Sequence, residues 1–209
     1  LGSDRALKVL RDGLIDVAVV MQNRFMTSSP EMVVEVLYEE EIEVLMSSNH
    51  PLTKYEEVPW VELINYPQVV FKDGYGMQRL VQECFARHDA ILKPTIELNT
   101  LDAFRGVVRQ GDSIALLPKT ALLEIERDST LAIRKIAELP ESPNTTGNNS
   151  ICQNSLTRQV VMVTTSDRLE IPPIAHFCNL VRQLSKSSTH EMFNKQLDPL
   201  SNLVSVCNT

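Results

Sequence analysis

No stretch of this 209-residue sequence approaches the roughly 20 consecutive apolar residues that a membrane-spanning helix needs, so no membrane partner is expected. The opening LGSDRALKVL carries charge where a secretory signal would be apolar, and it lacks an initiator Met. We therefore expect a fragment of a longer chain. Positive charge is also short: 20 Lys and Arg stand against 27 Asp and Glu, for a formal net charge of −7. A surface that grips a phosphate backbone is basic, so direct nucleic-acid binding by this segment is not expected.

Chemical motifs are missing too. The four cysteines (Cys84, Cys152, Cys178, Cys207) form no CxxC pair and fit no zinc spacing. Cys84 and Cys178 fall within apolar helical patterns and read as small core hydrophobes, whereas Cys152 and Cys207 sit in polar segments. A reducing, cytoplasmic compartment is the simplest reading. His50, His88, His176 and His190 are scattered without HxxxH or HExxH, and no metal site is expected. There is no GxGxxG, GxxxxGK[ST] or GxSxG, and no serine or cysteine in an activated setting. His50, in NHPL, has no visible partner and reads as a surface turn histidine. The carboxylates of YEEEIE and EIERD read as solvated faces. No catalytic residue is assigned, and enzyme activity is not expected. The Asn144 and Asn148 glycosylation matches are chance matches in an Asn-rich stretch.

What the sequence does hold is alternation of buried runs with amphipathic helices. Residues 3–12 place Ala6, Leu7, Leu10 and Leu14 at helical spacing, with Ser3 as a cap and Gly13 as a stop. LIDVAVVM (14–21) reads as a short, fully buried strand, and residues 32–48 as two further strands. PWVELINYP (59–67) is a short helix bounded by prolines. QVVF (68–71) is a buried strand, and residues 77–89 form a helix with Leu80, Val81, Cys84 and Phe85 on one stripe. KPTIELN (93–99) is a strand, and 100–111 is a helix that Thr100 can cap. SIALLP (113–118) is a buried strand and KTALLEIERD a helix candidate. LAIRKIAEL (131–139) is a strand pair, or one strand with a turn. Residues 140–158 are Ser-, Asn-, Thr- and Pro-rich and read as a long surface loop of a composition compatible with disorder. Residues 159–167 return to strand, 172–185 form an amphipathic helix, and 187–209 read as a polar tail. This order specifies an α/β fold with one mainly parallel sheet or two.

Four strand-to-helix junctions carry polar or glycine residues: VVMQNR (19–24), FKDGYGMQ (71–78), ELNTLD (97–102) and LLPKTA (116–121). In α/β sheets, ligands bind beyond the carboxyl ends of strands, where helix N-termini favour anions.

At this point the residues resemble a known family. SDRALKVLRDGLIDVAV is similar to the S/T-xx-LxxL-xxGxxDxAI segment of LysR-type transcriptional regulators. EEIEVLMSSNHPL resembles their strand-and-turn ending in HPL, and LNTLDAFRGVVRQGDSIALLP resembles their LVxxGxGIALLP segment. The three occur in the family's order and spacing, from Leu1 to about Leu184. VMQNRF and FKDGYGMQRL further resemble regulators of nitrogen or carbon assimilation in photosynthetic bacteria.

The resemblance implies an effector-binding domain of the type 2 periplasmic-binding-protein fold. Two Rossmann-like subdomains would be joined by two crossover strands near QVVF and VVMVTT. Subdomain I would comprise 1–68 plus 165–186, and subdomain II 69–164. A winged helix-turn-helix that contacts DNA, a linker helix and the first strand of subdomain I would precede Leu1. The chain would pair with itself as a homodimer or tetramer. Position by position, the resemblance points to an effector site at Ser3, Met21, Gln22, Gly74, Tyr75, Gly76, Gln78, Asn99, Thr100, Leu117 and Pro118. The effector would be a small anion, with no cofactor, and Arg24, Lys72 and Lys119 are candidate cationic partners. Two other readings share the alternation: a periplasmic-type solute-binding protein, and an α/β enzyme working at the same cleft.

Overall fold

The computed structural model describes residues 2–22, 30–123, 125–137 and 156–196. Most of the loop expected at 140–158, the expected tail beyond residue 196, Arg24, Cys152 and Cys207 lie outside these; the first ten residues of the expected tail, 187–196, instead continue helix α7. Helix α1 (Ser3–Arg11) leads to strand β1 (Ala18–Met21) and then β2 (Met32–Ser47). A 3-10 turn (Pro51–Lys54), β3 (Glu57–Val58) and α2 (Trp60–Leu63) follow. Then come β4 (Gln68–Phe71), α3 (Gly76–Arg87), β5 (Pro94–Leu98), α4 (Leu101–Val108), β6 (Ile114–Pro118) and α5 (Lys119–Leu122). Strands β7 (Leu131–Ile136) and β8 (Thr157–Thr165), α6 (Ser166–Leu169) and α7 (Pro172–Gln196) complete the order.

Of residues 32–48, expected as two strands, Met32–Ser47 form one strand of 16 residues. Its charged middle, Glu39–Glu41, breaks the apolar pattern but not the ladder. The register slips only between Val36 and Tyr38, at a bulge. This strand serves two groups of partners. Its first part, Met32–Glu41, pairs antiparallel with β8, which in turn pairs with β1. Its last part pairs with β6, from Ile42 opposite Pro118 to Leu45 opposite Ala115, and with β7. Beyond β6 lie β4 and β5, all three parallel. The order is β1-β8-β2-β6-β4-β5.

Three expectations change here. The sheet is mixed rather than mainly parallel, because β2 pairs antiparallel with β6, β7 and β8, and β8 with β1. Gln68–Phe71 is not a crossover: it is the middle strand of the parallel group, and β2 is the strand that passes from one group to the other. β1 is not fully buried, because its outward Val19 is half exposed while Ala18 and Val20 face α1.

Period-two alternation sorts the second group's core into two layers. Val44, Met46, Ile114 and Leu116 point to the side covered by α3 and α2, where Leu80, Val81, Phe85 and Trp60 pack. Leu45, Ala115 and Leu117 point to the opposite side, against Phe104 and Val108 of α4. In the first group, Ala6, Leu7 and Leu10 of α1 cover Ala18, Val20, Val161 and Val163. Cys84 and Cys178 are buried, as their apolar settings suggested.

Three buried polar residues depart from expectation. His50 is 2% exposed, not a surface turn residue. Its Nδ1 accepts from the Leu52 N–H at 3.2 Å to cap the 3-10 turn, and its ring meets Tyr66 edge-on. Burial holds its pKa below the usual histidine value. Glu40 and Glu43, read as a solvated face, are buried because β2 is covered where it changes partners.

Candidate functional site

The register places all the relevant strand ends at one level. Met21, the last residue of β1, lies opposite Val160, and the Gln22 N–H donates to the Gln159 carbonyl at 2.8 Å. Gln159 pairs with Glu39 of β2. Three residues on, Ile42 pairs with Pro118, the last residue of β6. Strand β4 runs parallel to β6 and β5, with Phe71 opposite Leu98. The carboxyl ends of β1 and β6 therefore meet at residues 39–42 of β2, where the chain passes between its two groups of strands, and those of β4 and β5 lie at the same end of the parallel group, farther out.

Four helices begin at these ends, and their first turns differ in how their amides are satisfied. At α5, the Thr120 N–H already donates to Glu40 Oε2 at 3.0 Å. The other oxygen of Glu40 accepts from Arg158 Nε at 2.8 Å and lies 2.6 Å from Arg158 Nη2. This pair is buried, with side chains 5% and 18% exposed. The neighbouring Tyr38 hydroxyl has its pKa raised by its own burial and then by the Glu40 charge. At α4, Thr100 has cap backbone geometry but makes no side-chain cap bond, and Asn99 and Thr100 are exposed at the end of the outermost strand.

The first turns of α1 and α3 also lack side-chain caps. For α1 the cap position falls on Gly2, so Ser3 is the first helical residue and is buried. These two turns, from different strand groups, meet. A Cβ on Gly2 would overlap the Gly74 carbonyl oxygen, and one on Gly76 would come within 3.0 Å of Met21 Sδ. Arg79 of α3 forks onto Asp4 of α1: Nη2 donates to Oδ2, and Nη1 to Oδ1 at 3.4 Å. The turn at 72–75 needs Gly74 at φ +86°. It is seated by Phe71, which stacks on Tyr75 at 5.6 Å and packs on Phe104 at 4.6 Å. In the first turn of α3, Gln78 is 7% exposed and its Oε1 has no hydrogen-bond partner among the described residues.

The structure thus brings together Ser3, Met21, Gly74, Tyr75 and Gly76, with Gln78 in the same helical turn. Leu117 and Pro118 are buried at the end of β6, opposite Glu43 and Ile42 of β2, and Leu117 faces α4 rather than the meeting turns. Asn99 and Thr100 stand apart at the outer edge, and Gln22 is exposed. Lys72 is exposed beside Leu98, whose carbonyl accepts its N–H at 2.9 Å. The sequence reading missed Asp4, Arg79, Glu40 and Arg158. Asp4 and Arg79 are 75 positions apart, and Glu40 and Arg158 are 118 apart, so no local pattern announces either pair. Two open grooves lie away from this junction. One runs along Thr53–Glu57 and Ile133–Lys135, the other between Leu10, Arg11 and Thr165–Arg168. Among the described residues no group of His, Cys, Asp and Glu could hold a metal, and no helix is long and apolar enough to cross a membrane.

Comparison with known proteins agrees with this architecture. A family model described as LysR substrate binding domain matches residues 1–186. A Synechococcus elongatus protein named "Probable nitrogen assimilation transcriptional activator" is 48% identical over 183 residues, covering 88% of this chain and 54% of its own length. The chain thus spans about half of that relative. Among solved structures, the effector-binding domain of QuiR in complex with shikimate superposes with a TM-score of 0.70 at 18% identity, over 90% of this chain and 79% of that one. The CcmR regulatory domain from Synechocystis, in complex with 2-PG, gives 0.71 at 16% identity, over 88% and 80%.

Proposed function

The chain belongs to the LysR substrate-binding-domain family, and from that premise we propose that it senses a small organic or inorganic anion for a DNA-binding transcription regulator. The observation that carries this reading is the meeting of the uncapped first turns of α1 and α3, seen in Gly2 against Gly74 and Met21 against Gly76. In each turn the cap residue, Gly2 or Tyr75, supplies no side-chain acceptor to the helix amides, and each turn carries the positive end of its helix dipole. An oxyanion between them would take hydrogen bonds from both. Ser3, Gly74, Tyr75, Gly76 and Gln78 would line it, with Met21 and Pro118 as apolar walls; Leu117 faces α4 and would only support the strand end. Asn99 and Thr100 would contribute only if the outer edge moved inward.

The division into 1–68 plus 165–186 and 69–164 is better drawn inside β2, between Glu41 and Ile42; the change of pairing partners there supports this. A ligand bound across that division biases the arrangement of the two halves only by its differential affinity for each. The halves would then reshape a homodimer or tetramer bound to DNA through a winged helix-turn-helix outside these residues. The setting is cytoplasmic, and no catalytic step is assigned. The names of the relative and of the ligands in the neighbours favour nitrogen- or carbon-assimilation signals, including carboxylates and phosphates. Titration calorimetry of the intact regulator against organic acids and nitrogen oxyanions tests this. Saturable binding of one of them, with altered operator affinity, is expected. No binding to any, with operator affinity unchanged, would sink the reading.

A further inference from the structure

We infer that Asp4 is the site's resident anion, and that the effector binds by displacing its carboxylate from Arg79. The inference rests on the anion-site reading above and adds how that site is regulated. Asp4 and Arg79 lie in the first turns of the two helices that meet there, and the guanidinium grips the carboxylate through both oxygens. The pair therefore fills, with the protein's own charge, the role that a bridging oxyanion would take.

Its exposure decides that it can be exchanged. The Arg79 and Asp4 side chains are 33% and 40% exposed, so solvent screens the pair and its net worth is small. By contrast Glu40 and Arg158, at 5% and 18%, form a fixed clasp. The two pairs divide the labour at one junction: the buried one holds strands and α5 together, and the accessible one opens.

The Arg fork also limits the effector's chemistry. It matches two oxygens in one plane, as a carboxylate or a phosphate presents them, and gains less from a halide. The effector is thus an oxyanion, and it binds against an internal competitor. Weak oxyanions fail to displace Asp4, which sets a threshold concentration for sensing.

The test uses inorganic phosphate as probe, titrated by calorimetry into the intact regulator at constant ionic strength, with chloride as the control anion. Asp4→Asn is expected to bind phosphate about two- to fivefold more tightly than the wild type, as the loss of a screened ion pair allows. Asp4→Ser, which suits a first helical turn, should do the same and guards against a folding defect in one variant. Adding Arg79→Gln to Asp4→Asn should abolish the gain, and chloride should show none of these effects. Wild type and both Asp4 variants binding equally would overturn the displacement while leaving the site in place. Weaker binding by both Asp4 variants would overturn it as well, by making Asp4 a support rather than a competitor. Absence of binding by the wild type and both Asp4 variants would overturn it too; only if the organic acids and nitrogen oxyanions also fail does the anion-site reading fall with it.

Discussion

Replacing Glu40 by Ala tests the physical account of the junction where β2 changes partners. The Glu40 carboxylate is 5% exposed and takes three polar contacts, from Arg158 Nε at 2.8 Å, Arg158 Nη2 at 2.6 Å and the Thr120 N–H at 3.0 Å. Removing it leaves a guanidinium only 18% exposed without this counter-charge, and strips the α5 amide of its acceptor. Breaking a buried pair from one side costs about 3–5 kcal/mol. Glu40→Gln retains an acceptor for Thr120 but loses the charge, and should cost about 1–3 kcal/mol. The double substitution Glu40→Met with Arg158→Met removes both charges at similar volume and should recover most of the loss. Urea unfolding followed by circular dichroism, with a common slope for all variants, reads these differences. A cost below about 1 kcal/mol for Glu40→Ala, or simple additivity in the double variant, would refute the claim that this clasp is desolvated and coupled.

Gly2→Ala keeps a permitted backbone, since φ is −66°, so any cost comes from the overlap with the Gly74 carbonyl. It should lower stability by about 1–3 kcal/mol and weaken effector binding. Gly76→Ala meets Met21 Sδ at 3.0 Å, which can swing aside, and Met21 Cβ and Cγ at an ordinary 3.4 Å, so it should cost under about 1 kcal/mol in the same urea titration. His50 predicts a pH dependence. Its folded pKa lies below the unfolded value near 6.5, so the unfolded chain takes up the proton first. Its contribution is fully present above pH 6.5 and is lost as pH falls toward the folded pKa, by at most about 1.4 kcal/mol per pH unit. Melting curves between pH 7.5 and 5 should show the decline, and His50→Asn should flatten it; an unchanged profile would count against the buried, neutral imidazole. His88, half-buried on Trp60, shifts the same way, through burial. Asp128, exposed and held at about 2 by Thr130 and Arg109, stays charged throughout that range.

Much of the architecture is legible in the chain because local signals agree there. The Leu7–Leu10 stripe with Gly13 at φ +75°, the buried IALLP run, and the Leu80–Val81–Cys84–Phe85 stripe each declare their element. Illegible features depend on distant partners. Glu39–Glu41 looks like a break because three carboxylates in a row are normally solvated. Here Arg158 and the Thr120 amide, far away in sequence, let the strand continue. His50 reads as exposed because its backbone ligand is two residues off, while the Asp112 carbonyl and Tyr66 ring that enclose it arrive through folding. The site is half legible. The glycine turn and helix starts stand out as motifs, whereas the contact of α1 with α3 and the Asp4–Arg79 pair follow only from how the two strand groups fold against each other.

The central claim is that one oxyanion lies between the first turns of α1 and α3. Amide hydrogen exchange of the intact regulator, with and without the effector that calorimetry identifies, tests it most directly. The account predicts slowed exchange at both Ser3–Leu7 and Gly74–Leu80 together. Protection confined to one of these helices, or appearing instead along the Thr53–Glu57 groove, would contradict it.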